Sequence, residues 1–220
     1  RPIPEVQFSD FLWPSMNQLI GEAARACYGT DGKLSVPMVV RIPYGGGIRG
    51  GLFHSQNVEA LFFHTPGLKV VAPSTPYDAK GLLKSAIRDN NPVIFLEHKK
   101  TYRMVRGEVP EAEYLLPIGV ADVKRAGSTV TLVSYGLMLH YCLEAAEAVS
   151  AEDINVEVVD LRSLRPLDKG TILESVKKTG KLMVVHEDNL TGGVGAEVAA
   201  LAADEAFEYL DGPVTRLCGP

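Results

Sequence analysis

Along this chain, short runs of β-branched and aliphatic residues alternate with longer segments whose apolar positions recur every three or four residues. Strand-like runs fall at 36–42, 69–72, 93–97, 129–135, 156–160, 182–186 and 214–217. Helical periodicity covers 15–26, 76–89, 138–150, 171–179 and 194–209. Most strand runs are too uniformly apolar for a sheet with one wet face, so helices must cover both faces. The alternation predicts an α/β fold with parallel sheets. Between 101 and 119 the pattern fails, charges cluster, and Pro110 and Pro117 punctuate the chain. A linker is expected there, which divides the chain into 1–105, a connection at 106–120, and 121–220.

Composition narrows the class. With 46% hydrophobic and 22% charged residues in 220, the chain can bury a core, which excludes a disordered or collagen-like protein. A net charge of −5 argues against an extended electrostatic grip on nucleic acid or on an anionic membrane. Cys27, Cys142 and Cys218 are far apart and lack zinc-site spacing, so buried reduced thiols are expected. No apolar run approaches the roughly 20 residues that span a bilayer.

Candidate chemistry is concentrated in the first half. Gly45, Gly47 and Gly50 satisfy GxGxxG after a strand, but the next strand ends in Val71-Ala72-Pro73 where a dinucleotide site needs an acid. The glycines are better read as letting main chain pass close to a ligand or neighbour, or as a flexible loop. His54 follows them and is expected at the entrance of a short helix reaching His64, with Ser55 or Asn57 as cap; the helix dipole would favour a neutral imidazole. The other histidines, His64, His98, His140 and His186, have no comparable setting.

Asp89 closes the helix that starts at Pro76, where its charge meets the negative end of the dipole; turn chemistry or a bound cation could account for it. Phe8, Phe11 and Trp13 either pack in the core or present an aromatic face to a planar heterocycle. The run from Thr191 to Gly195 reads as a helix-start turn, without the lysine of a P-loop. In the second half, Tyr135-Gly136, Asp160-Leu161-Arg162 and Glu187-Asp188-Asn189 fall at strand carboxyl ends, where ligands or docking partners bind open sheets.

The order of segments is more specific than any one of them. Phe8-Ser9-Asp10-Phe11, Arg41-Ile42-Pro43-Tyr44-Gly45, His54-Ser55-Gln56, Pro66 to Ser74, Asp78 to Leu83 and Asp89-Asn90-Asn91-Pro92 together resemble the β subunit of the E1 component of 2-oxo-acid dehydrogenase complexes. Asp160 to Asp168 and Gly193-Val194-Gly195-Ala196-Glu197 resemble its transketolase-type carboxy-terminal domain. The likeness is nearest to branched-chain (2-oxoisovalerate) members, then to pyruvate and acetoin dehydrogenase subunits.

That resemblance implies two open, mostly parallel sheets with helices on both faces: a partial pyrimidine-binding domain and a carboxy-terminal domain. It implies thiamine diphosphate as cofactor, shared with an α subunit that holds the diphosphate and Mg2+, within an α2β2 tetramer that passes acyl groups to E2 through the E2 subunit-binding domain. By position in the motifs, Phe11 would pack on the aminopyrimidine and His54 would serve substrate and intermediates. Asp89, with main-chain oxygens of Val36, Met38, Val39, Ala86 and Asn91, would form a monovalent cation site for K+. The glutamate that protonates the aminopyrimidine is expected upstream of residue 1, Glu5 being no substitute, so the 220 residues read as a portion of a longer subunit that is inactive alone. A bacterial or archaeal cytoplasm is expected, or the mitochondrial matrix in a eukaryote. The competing readings are a non-catalytic assembly subunit of the same fold and a single-chain enzyme resembling transketolase or deoxyxylulose-phosphate synthase.

Overall fold

In the computed structural model, which describes Arg1–Pro220, the apolar runs become the inner strands of two sheets. The first sheet contains β1 (Val39–Tyr44), β2 (Lys69–Val71) and β3 (Val93–His98). β3 lies between the other two, parallel to both, and every one of its residues is buried, as a strand covered on both faces requires. The second sheet contains β4 (Asp122–Arg125), β5 (Val130–Ser134) and β6 (Val156–Asp160). After β7 (Ser163–Arg165), it is completed by β8 (Leu182–Asn189) and β9 (Thr215–Gly219), in the order β4-β6-β5-β8-β9.

Two strands escape the sequence pattern, and both make a sheet mixed. β4 runs antiparallel to β6, and β7 runs antiparallel to β2 of the first sheet. β4 reads Asp-Val-Lys-Arg and β7 has three residues, so neither carries enough period to register as a strand. β7 belongs by sequence to the second half, yet it extends the first sheet.

The helices are α1 (Ala26–Gly29), α2 (Glu59–Phe63), α3 (Pro76–Arg88), α4 (Thr101–Met104), α5 (Leu137–Ala148), α6 (Lys169–Thr179) and α7 (Val194–Glu205). Thr75 caps α3 by accepting the Asp78 amide, and Asp168 does the same for α6 from Thr171. The helix expected over 15–26 is broken into a tight turn at Trp13–Ser15, a wide π-helical segment at Asn17–Ala23 and then α1. Pro14 fits the tight entry, and the Ala24 amide reaches back five residues to Leu19.

Residues 105–121 have no regular element but are not loose. The Leu116 amide and carbonyl bond Gly81 and Ser85 on α3, and Tyr114 stacks on Tyr77 at 4.5 Å while its hydroxyl reaches the Tyr77 carbonyl. The connection is thus strapped along α3. One core of 28 buried residues includes Ile42, Ile94 and Leu96 from the first sheet and Val133, Val159 and Val184 from the second. Of the three unpaired cysteines only Cys142 is buried; Cys27 and Cys218 are half-buried, which corrects the expectation of three buried thiols.

Candidate active site

The chain leaves β1 through Tyr44 into a loop that returns to it, because the Gly45 amide donates to the Gln56 carbonyl at 3.0 Å. Ser9 donates its hydroxyl to the same carbonyl at 2.8 Å, which ties the segment carrying Phe8 and Phe11 to the neck of the loop. The glycines serve close approach to this protein's own side chains. Gly45 has φ +83°, and a Cβ there would stand 2.1 Å from the His98 ring; a Cβ on Gly50 would stand 2.6 Å from that of His54. No dinucleotide fingerprint is needed to explain them.

His54 ends a short turn, Leu52–His54, and α2 starts only at Glu59. The expected helix entrance is therefore wrong: His54 does not sit on a helix N-terminus, and neither Ser55 nor Asn57 caps α2. Instead the Val58 amide is taken by Glu59 itself at 2.8 Å. What His54 does meet is aromatic. Its ring lies edge-on to Phe8 at 4.6 Å and to Phe11 at 5.7 Å between centroids. Phe11 is 53% exposed, and Trp13 just after it and Leu52 and Phe53 just before His54 are exposed too, so these side chains do not form core. Behind them the Lys99 ammonium lies 5.5 Å from the centre of the Phe8 ring, buried and without a hydrogen-bond partner, as are both Asp10 carboxylate oxygens.

The strand ends of the second sheet point into the first half. Glu187 accepts the Gly46 amide at 2.7 Å and bonds His98 at 2.5 Å; Asp188 accepts the Ala60 amide at 3.3 Å. Ser74 donates to Asp160 at 3.0 Å, accepts the Gly136 amide and offers its carbonyl to His140. Asp78, fully buried at the start of α3, is paired with Arg162 at 2.8 Å and Lys124 at 3.0 Å, both from the second half. Burial, with Asp78 close by, pushes the Asp160 carboxyl up to about 7; burial, with Asp188 next in weight, pushes Glu59 up to about 8. His186 turns inward to accept the Gly195 amide at 3.0 Å, so the Thr191–Gly195 run is a helix-start turn closed by an imidazole. His98, Glu59 and Glu187 carry no motif of their own, and only the strand-end rule points to Glu187.

Asp89 caps α3 at its carboxyl end, and the compensation its charge demands comes from Lys69, which pairs with it directly. Its other oxygen accepts the Asn91 amide at 2.8 Å. Among the carbonyls proposed as cation ligands, those of Val36, Met38 and Ala86 accept amides from Met38, Val93 and Asp89. Val39 begins β1, next to Met38. Glu5 is held by Arg41 at 2.8 Å. No three His, Cys, Asp or Glu side chains gather as metal ligands.

Two parallel-centred sheets joined through their strand ends, with an aromatic and imidazole corner on the first, define a transketolase-like protein. The pyrimidine-binding domain model of transketolase matches residues 1–105 and the transketolase C-terminal domain model matches 119–220. The chain is 54% identical over all 220 residues to the 2-oxoisovalerate dehydrogenase subunit beta of Bacillus subtilis (strain 168), covering 67% of that protein. It is 47% identical to the pyruvate dehydrogenase E1 component subunit beta of the same organism, covering 68%. Against the acetoin:2,6-dichlorophenolindophenol oxidoreductase subunit beta of Cupriavidus necator it is 48% identical, covering 65%. A solved split-gene transketolase, described as an inactive beta4 tetramer, superposes with TM-score 0.79 at 26% identity, over 99% of this chain and 66% of that one. The chain belongs to the family of 2-oxo-acid dehydrogenase E1 β subunits, and it spans about two thirds of the length of these relatives.

A thiamine ring system fits the corner by its chemistry: an exposed aromatic face on Phe11, and an imidazole 5.7 Å away that is held by a closed loop.

Proposed function

We propose that this chain forms the β side of the active centre in a thiamine diphosphate-dependent 2-oxo-acid dehydrogenase that favours branched 2-oxo acids and transfers the acyl group to a lipoyl group on E2. When bound, the cofactor supplies a nucleophilic carbon and the electron sink for decarboxylation. Phe11 gives its ring face to the aminopyrimidine, and lacking a hydroxyl it contributes contact alone. His54, beside it, can hold a proton on one ring nitrogen and accept one on the other, which suits proton movement at the substrate oxygen and at the departing lipoyl sulfur. The observation that carries this reading is the pairing of an exposed Phe11 with His54 on a loop closed at its neck.

The exposed apolar surface of Trp13, Leu52 and Phe53 flanking the site supports a covering chain, here an α subunit that brings the diphosphate and Mg2+ grip in an α2β2 tetramer. The carboxy-terminal domain would take the E2 subunit-binding domain. A K+ ion at Asp89 and the carbonyls of Val36, Met38, Val39, Ala86 and Asn91 belongs to the same reading, as does a prokaryotic cytoplasm. The 106–120 segment is the proposed boundary between the two domains. No helix is long and apolar enough to cross a membrane.

The test uses the full subunit assembled with its α partner. His54→Ala lowers acyl transfer to lipoyl-E2 by about 100-fold while thiamine diphosphate still binds. Unaltered transfer rates reject the role, and faster turnover of pyruvate than of branched 2-oxo acids rejects the substrate preference.

A further inference from the structure

The loop that carries His54 is closed by its own hydrogen bonds and tied at its neck to Ser9, but its first turn is held from the other domain. Glu187 stands near the carboxyl end of β8 and has two bonds with distinct directions. One oxygen accepts the Gly46 amide at 2.7 Å and the other meets His98 Nε2 at 2.5 Å. The Lys100 amide donates to His98 Nδ1 at 3.3 Å, so Nδ1 is the acceptor and Nε2 carries the proton that goes to Glu187. His98 in turn packs edge-on against Tyr44 at 5.1 Å, and its ring fills the space that a side chain at Gly45 would take. Glu187 therefore holds both the first turn of the loop and the ring on which that turn lies.

We propose that Glu187 is a positioning residue for His54: the carboxy-terminal domain sets the placement of the 45–56 loop through this one carboxylate. Burial pushes Glu187 toward its neutral form, but the His98 bond, with the Gly46 amide and Asn57, outweighs it and holds the group below the usual carboxylate range. A carboxylate is required because both partners are donors. An amide at 187 would present its NH2 to one of two N–H groups, and His98 cannot switch tautomer without turning a second N–H against the Lys100 amide. The role also gives the second domain a direct part in the site, although none of its residues need touch the cofactor.

The turnover consequence rests on the role proposed for His54; the ordering of the loop does not. In the assembled enzyme, Glu187→Gln is expected to speed hydrogen exchange across 45–56 by about 10-fold or more, because amides tied to a lost anchor open locally. It should lower kcat for acyl transfer by about 10-fold with KM for the 2-oxo acid little changed, since misplacement of a catalytic group acts on the chemical step. Two further variants separate a specific clamp from general loosening of the interface. Ser74→Ala breaks a different interdomain bond, and His98→Gln keeps a donor in place of Nε2; both should leave loop exchange within about 2-fold of wild type. If Glu187→Gln fails to fold, His98→Leu removes the same donor and should loosen the loop in the same direction. Unchanged exchange in the folded Glu187 or His98→Leu variant, or equal loosening by Ser74→Ala, overturns the proposal. Loosening of the loop with turnover intact confirms the clamp and instead removes His54 from the chemistry.

Discussion

At the scale of single residues, the informative groups are those whose charge the fold opposes. Glu59 is fully buried, with one oxygen on the Val58 amide and the other unpartnered, and its carboxyl is raised to about 8. Because the folded state holds the proton more tightly than the unfolded chain, this group's contribution is fully present below the ordinary carboxylate value of about 4.3 and is lost as pH rises through about 8. Glu59→Gln, which cannot ionise, should therefore gain stability over wild type between pH 5 and 8.5, by on the order of 3–5 kcal/mol, read from unfolding curves across that range. A difference independent of pH would mean that Glu59 enters the fold ionised. Asp89 is the opposite case. Against the opposing push of burial, Lys69 first and Asn91 next hold its carboxyl below its usual value. If K+ also sits there, wild-type melting temperature rises with KCl over matched LiCl, and Asp89→Ala abolishes the rise; a wild-type melting temperature that ignores potassium removes the cation site.

At the scale of elements, the short pieces join the halves. β7 pairs with β2, the Ala72 amide donates to the Arg162 carbonyl at 2.8 Å, and Arg162 and Lys124 reach back to Asp78 on α3. Removing the shared partner of two cations that are mostly buried leaves them uncompensated. Asp78→Ala should thus destabilise by about 3 kcal/mol, measured by denaturant midpoint, partly offset if the Asp160 carboxyl nearby then ionises and replaces the lost charge. A loss within 0.5 kcal/mol, the size typical of surface changes, would show that this cluster contributes little. These elements were the hardest to read from sequence. β4 and β7 are too short and polar for a period, whereas β3 and β6, buried throughout, stand out by their β-branched and aliphatic residues despite Glu157 within β6. The 15–26 helix failed for another reason: its apolar spacing was helical, but periodicity does not report whether turns close over three, four or five residues.

At the scale of the molecule, two sheets that match separate domain models share a single core of 28 buried residues, a cross-sheet strand pair and a buried ion cluster. Interfaces of that kind do not open independently. Thermal unfolding should appear as one cooperative transition with calorimetric and van't Hoff enthalpies in agreement; two resolved transitions would show the halves to be separable. The same closure explains why the strand ends of the second sheet, an expected place for a ligand, hold none of the candidate chemistry: Glu187, Asp188 and Asp160 are all occupied in binding the first half.

What the amino-acid order determined by itself was the alternation of strands and helices, the family, and the residue types at the corner, because apolar periodicity and contiguous motifs are properties of local chain. Phe11 and His54 are 43 positions apart and were linked in advance only by resemblance; the folded chain places their rings 5.7 Å from each other. The absence of a helix start at His54, the ammonium facing Asp89, the antiparallel joins at β4 and β7, and the grip of Glu187 on Gly46 and His98 were decided only in three dimensions. Each depends on which distant group a donor or charge meets once the sheets have packed, and no window of neighbouring residues contains that partner.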